Sequence, residues 1–138
     1  ELAARAPLLP AAIPVLDRLS RNAVLGLLTN GIASVQRPRI ARAGIEVFFQ
    51  AIIVCDEVGI SKPDPEVFHL AARQLHLAPH ELLCVGDSPS SDIRGGWAAG
   101  MPTCWVNLPG RPYPPGEPAP DYVVARLEEL LDLAPQPS

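Results

Sequence analysis

Apolar positions along this chain follow two alternating rhythms. Short, almost unbroken apolar runs recur at 24–28, 51–55, 82–86 and 103–106, with a briefer one at 122–124. Runs of this length that stop on glycine or polar residues read as strands buried on both faces, the mark of a parallel sheet. Between them the apolar residues are spaced three and four apart. Ile13, Val15, Leu16 and Leu19 predict a helix over 11–21, with Pro14 tolerable only near its first turn. Ser34 reads as the cap of a helix running to 42, with Pro38 early in it and Gly44 as its stop. Asp64 as N-cap and Pro65 at the first helical position open another, whose stripe is Val67, Phe68, Ala71, Ala72 and Leu75. A short helix over 92–99 is weakened by Gly95 and Gly96 and ended by Gly100, and Leu127, Leu130 and Leu131 line a closing one. Strand and helix in alternation predict an α/β domain, a mostly parallel sheet with helices on both faces.

Two stretches keep neither rhythm. Residues 109–120 are rich in proline with two glycines, which suits an extended surface loop. Residues 1–10 lack periodicity and read as a remnant or linker ahead of a core over 11–134, with 135–138 as a tail. The first residue is Glu1 rather than Met, so the expectation is a processed chain or a missing N-terminal part.

Composition narrows the class of function. At 138 residues and 48% hydrophobic, the chain holds enough apolar material for one core but not two. A net charge of -4 with no Lys/Arg cluster argues against nucleic acid or a membrane surface as partner and leaves a small anionic substrate open. No apolar run approaches the ~18 residues that span a bilayer, and a cytoplasmic location is the expectation. Cys55, Cys84 and Cys104 each lie in a strand-like run without metal-ligand spacing, which predicts buried free thiols. His69, His76 and His80 read as solvated.

Candidate chemistry gathers where strands end. The run at 82–86 breaks off into Gly86, Asp87 and Ser88, and Asp92 follows five residues after Asp87. Two carboxylates returned to one sheet edge repel unless a cation or proton lies between them, so the pair suits a divalent metal; equally, Asp87 can cap a turn and Asp92 a helix. Thr29 ends the run at 24–28 ahead of Asn30 and Gly31, and Lys62 precedes the helix opened by Asp64. Right-handed β-α-β connections bring all these positions to the same edge. There Thr29 and the N–H groups of Asn30 and Gly31 can bind phosphoryl oxygens, Lys62 can neutralise developing charge, and Mg²⁺ suits Asp87 and Asp92.

The three segments Leu-Leu-Thr-Asn-Gly at 27–31, Ser-Lys-Pro-Asp-Pro at 61–65 and Gly-Asp-Ser with Asp92 at 86–92 resemble the second, third and fourth motifs of the haloacid-dehalogenase-like hydrolases. That resemblance implies a Rossmann-like, three-layer αβα core and phosphoryl transfer through an aspartyl-phosphate with Mg²⁺. It implies that Thr29 binds the phosphoryl group, Lys62 steadies nucleophile and phosphate, Asp87 holds the metal directly, and Asp92 does so directly or through water. A small phosphorylated metabolite is the expected substrate. The family's first motif, Asp-x-Asp at the end of a central strand, occurs nowhere in the chain. The helical cap normally inserted after it is missing as well. The expectation is therefore a sheet whose central strand must come from a missing N-terminal segment or a second chain, and no turnover of phosphate esters by these residues alone. A non-catalytic binding or assembly module, a dehalogenase and a phosphomutase are the alternatives.

Overall fold

The computed structural model describes residues 2–4 and 12–133; the tail at 135–138 and most of the stretch at 1–10 lie outside the described residues. The strands are β1 (Leu2–Ala4), β2 (Leu25–Thr29), β3 (Ala51–Val54), β4 (Leu83–Gly86), β5 (Thr103–Val106) and β6 (Tyr122–Val124). The helices are α1 (Ala12–Ser20), α2 (Ala33–Ala43), α3 (Cys55–Val58), α4 (Pro65–Gln74), α5 (Arg94–Ala98) and α6 (Leu130–Leu133). The strands form one parallel sheet in the order β3-β2-β1-β4-β5-β6.

Each strand serves two cores because successive side chains point to opposite faces. Leu25 and Leu27 join Val15, Leu16, Leu19, Val85 and Leu130 on one face. Leu28 and Cys84 join Val67, Phe68, Ala71, Leu75 and Met101 on the other. Helices α1 and α6 therefore cover one side of the sheet and α4 the other, which is the αβα sandwich expected from the unbroken apolar runs. All three cysteines are buried and free.

The middle position of the sheet corrects the sequence reading. No strand is predicted within 1–10, yet Leu2–Ala4 lies between β2 and β4, pairing Leu2 with both Leu25 and Leu83. The flanking strands would otherwise present unpaired N–H and C=O groups to each other, at about 1–3 kcal/mol for each buried one. A sheet ladder needs only extended backbone to satisfy them, and three residues are too few to show a periodicity.

Two helix starts also differ. Helix α2 begins at Ala33, with Ile32 at the cap position and no side-chain cap. Ser34 lies inside it, and the Ala33 N–H is taken up by Asp56 Oδ2 of α3 at 3.0 Å, so a neighbouring element caps the helix. The helix predicted over 92–99 splits into a single π-turn, Pro89–Ile93, and α5. The Ile93 N–H reaches back five residues to the Ser88 carbonyl at 3.2 Å, which places Asp92 within the turn rather than at a cap. By contrast, Asp64 caps α4 as its sequence implies, its Oδ1 accepting from the Glu66 N–H at 3.0 Å, and Gly44 ends α2 with a φ of 68°.

Candidate active site

Sheet register brings the strand ends level. Leu25 and Leu83 both stand opposite Leu2, so an equal count along the two parallel strands sets Thr29 and Asp87 at the same height on the C-terminal edge. With β1 between them they are two strand spacings apart, roughly 10 Å. This is the edge at which open α/β sheets bind ligands.

Lys62 reaches that edge from the loop ahead of α4 and is buried there. Its backbone is held by the Asn30 side chain on both sides: Asn30 Oδ1 accepts from the Lys62 N–H at 2.9 Å, and Asn30 Nδ2 donates to the Lys62 carbonyl at 3.2 Å. Its Nζ donates to Asp92 Oδ1 at 2.7 Å and, more weakly, to the Leu28 carbonyl at 3.4 Å. The ion pair therefore ties the end of β2 to the turn after β4, across the middle strand. Thr29, also buried, accepts a long hydrogen bond at 3.4 Å from the Gly31 N–H onto its Oγ1.

Asp92 is fixed on every side. Besides Lys62, its Oδ2 accepts from the Ser88 N–H at 3.1 Å, its own N–H donates to the Ser88 carbonyl at 2.8 Å, and its carbonyl accepts from Cys84 Sγ at 3.4 Å. Gly86 makes room for it: a Cβ there would collide with the Asp92 carboxylate. Asp87, one residue past β4, is exposed, and its carbonyl accepts from Trp105 Nε1–H at 3.1 Å. Burial raises the Cys55 thiol, pushes Cys104 up to about 12 and Cys84 further, so none of the three offers a thiolate near neutral pH.

The structure thus brings Thr29, Asn30, Gly31, Lys62, Asp87 and Asp92 to one edge and gives several of them partners that the sequence does not reveal. Asn30, whose backbone N–H is the group expected at the phosphate, spends its side chain on Lys62. Asp92, expected at the metal directly or through water, has one hydrogen bond on each carboxylate oxygen, from Lys62 and from Ser88. Among the described residues no group of three His, Cys, Asp or Glu side chains is placed to hold a metal ion. What remains suits Mg²⁺ in a limited way, since that ion accepts one or two carboxylates and completes its octahedron with water and phosphate oxygens. Asp87 is the one carboxylate of this set that stands exposed. Trp105 was missed; an indole in an apolar strand that must place its N–H is the signal that could have found it. His69 also differs, being half-buried with Nε2 3.1 Å from the Ala99 carbonyl because α4 packs on α5; His76 and His80 are exposed as expected.

Fold and edge together define a parallel α/β domain whose strand ends gather a threonine, a buried lysine–carboxylate pair and an exposed aspartate. A model of the haloacid dehalogenase-like hydrolases matches residues 1–100. Among curated proteins, the chain is 38% identical over 126 residues to the pyrimidine 5'-nucleotidase YjjG of Escherichia coli, covering 91% of this chain and 56% of that protein. It is 40% identical over 128 residues to a phosphoserine phosphatase of Thermus thermophilus, covering 92% and 51%. Among solved structures, the magnesium-bound HAD-hydrolase YfnB from Bacillus subtilis superposes with a TM-score of 0.85 at 32% identity, over 91% of this chain and 55% of that one. A haloacid dehalogenase of Pseudomonas lies in the same range of identity. The chain belongs to the haloacid dehalogenase-like hydrolases, and it spans about half the length of the curated relatives it matches.

Proposed function

We propose that these residues are the core portion of a Mg²⁺-dependent phosphatase that acts on a small phosphorylated metabolite through an aspartyl-phosphate, in the cytoplasm. The single observation that carries this reading is the buried Lys62–Asp92 pair beside the Thr29–Gly31 turn. A protein buries an ammonium at a strand edge, at a cost of several kcal/mol in desolvation, where that charge has a task or a fixed partner. In this reading the Thr29 hydroxyl and the N–H groups of Asn30 and Gly31 orient the phosphoryl oxygens. Lys62 offsets their charge. Asp92 holds the ammonium in place, and Asp87 takes the metal, which supplies Lewis-acid neutralisation of the phosphoryl group when bound.

The nucleophile and the acid/base are not among these residues, because no Asp-x-Asp is present and β1 consists of Leu2, Ala3 and Ala4. Residues 1–138 alone should therefore leave p-nitrophenyl phosphate intact with Mg²⁺ present. A longer protein whose upstream strand carries Asp-x-Asp and takes the middle position held here by Leu2–Ala4 should hydrolyse it, and a panel of phosphorylated metabolites would then find the substrate. Hydrolysis by residues 1–138 that disappears on Asp87→Asn would sink the division of labour described.

The carboxylate-free middle strand favours one second reading, a domain that kept the fold and serves as a binding or assembly module. Coding sequence upstream of Glu1 that lacks Asp-x-Asp after an apolar run decides for it.

A further inference from the structure

The peptide unit between Asp87 and Ser88 is held from both sides. Its carbonyl accepts from the Trp105 indole N–H at 3.1 Å, and its N–H donates to Asp92 Oδ2 at 3.1 Å. Because one rigid plane carries both groups, the two bonds together orient the peptide that follows Asp87 and with it the Asp87 Cα–Cβ bond. The ladder between β4 and β5 ends at Gly86 opposite Trp105, so an indole takes over where strand pairing stops.

Trp105 is in turn held by the proline-rich segment. Its ring meets Tyr113 edge to face at 5.0 Å between centroids, with planes 77° apart. The Tyr113 hydroxyl donates to the Pro118 carbonyl at 2.5 Å. Asn107 closes the start of the segment, donating from Nδ2 to the Arg111 carbonyl at 2.8 Å and accepting from the Arg111 N–H at 2.9 Å. Arg94, two residues after Asp92, grips its far end, donating from Nε to Glu117 Oε2 at 2.7 Å and from Nη2 to the Gly116 carbonyl at 3.1 Å. Prolines donate no backbone hydrogen bond, so side-chain contacts of this kind must set the path of such a segment. Both attachments run to the same turn, one at Asp87 and one just past Asp92.

We propose that Trp105 is a positioning residue for Asp87, and that residues 107–118 are a fixed brace which keeps Trp105 in place. The proposal rests on the reading of Asp87 as the metal-binding carboxylate. Pinning the peptide that follows Asp87 narrows the directions its Cα–Cβ bond samples, and binding through that carboxylate then costs less ordering.

The test uses residues 1–138 and Mn²⁺ as a stand-in for Mg²⁺, read by water-proton relaxation, together with the hydrogen exchange of the two indole N–H groups by NMR. Trp97, 60% exposed, is the internal control. Trp105→Phe keeps the ring against Tyr113 and removes the donor. It should weaken Mn²⁺ binding about five-fold, the equivalent of one hydrogen bond of about 1 kcal/mol, while Asp87→Asn abolishes binding. Glu117→Ala, at the rim, should speed exchange at the Trp105 indole and the Ser88 amide at least about three-fold and leave Trp97 unchanged. Mn²⁺ binding by Trp105→Phe equal to that of the parent, or exchange at Trp105 indifferent to Glu117→Ala, overturns the brace while the metal reading of Asp87 stands. Failure of the parent chain to bind Mn²⁺, or binding that survives Asp87→Asn, overturns that reading itself and the brace with it.

Discussion

Lys62 and Asp92 meet at 2.7 Å with 1% and 3% of their side chains exposed. Two opposite charges so fully removed from water gain strongly from each other and lose strongly when separated. Breaking the pair on one side, by Lys62→Met or Asp92→Leu, should cost about 3–5 kcal/mol of stability because a buried charge is left uncompensated. The combined Lys62→Met, Asp92→Leu variant should recover a large part of that loss. Urea unfolding of the four proteins gives the comparison, and a double variant as unstable as the sum of the singles removes the coupling.

Room for the pair depends on Gly86, whose missing Cβ is the space the Asp92 carboxylate occupies. Gly86→Ala should destabilise by roughly 3 kcal/mol, the upper end of what overpacking costs, because the obstructed group is charged and already held by Lys62 and Ser88. Gly110→Ala is the contrast: with a φ of 72° and open space around it, it should cost only about 1 kcal/mol of backbone strain. Equal losses at the two glycines would show that conformation, rather than the carboxylate, sets the requirement at position 86.

Much of the layout was legible in the chain because parallel strands buried on both faces write themselves as apolar runs, and β5 at Thr103–Val106 coincides with its run. Asp64 opens α4 and Gly44 closes α2 as their chemistry dictates. What could not be read are interactions between distant segments. The capping of α2 by Asp56, the Asn30 grip on Lys62 and the Trp105 bond to Asp87 join residues far apart in sequence, and no local rule contains them. β1 was missed for a related reason: its place is dictated by the backbone groups of β2 and β4 rather than by its own three residues.

Asn30 offers a direct check on how Lys62 is delivered. Asn30→Ala removes both hydrogen bonds to the Lys62 backbone and should cost about 1–3 kcal/mol, one net bond each with some penalty for groups left unpaired. Asn30→Asp keeps the acceptor for the Lys62 N–H but sets a carboxylate oxygen against the Lys62 carbonyl, so it should be no milder than alanine. Thermal and urea unfolding read both; a tolerated Asn30→Asp would mean that water, not the carboxamide, satisfies that carbonyl.

Buried thiols make the last prediction, because their charge state differs between folded and unfolded chains. Cys104 is pushed up to about 12 by burial, with the nearby Glu129 charge adding to it, and Cys84 is raised further by burial beside Asp92, against an ordinary value of 9.0. Above pH 9 the unfolded chain releases these protons while the folded one keeps them. The folded state then binds more protons, so the stabilisation is complete below pH 9 and is lost as pH climbs toward 12. By pH 10 the loss should be about 1 kcal/mol per thiol, seen as a falling urea midpoint between pH 8 and pH 10. In the Cys84→Ala, Cys104→Ala variant the curve should start lower, from the cavities left behind, and run flatter. Ellman's reagent at pH 8 should label the parent only as fast as the sheet opens and at once in urea. A double variant whose midpoint falls with pH as steeply as the parent's would assign the effect to other groups, and rapid native labelling would contradict the burial that drives it.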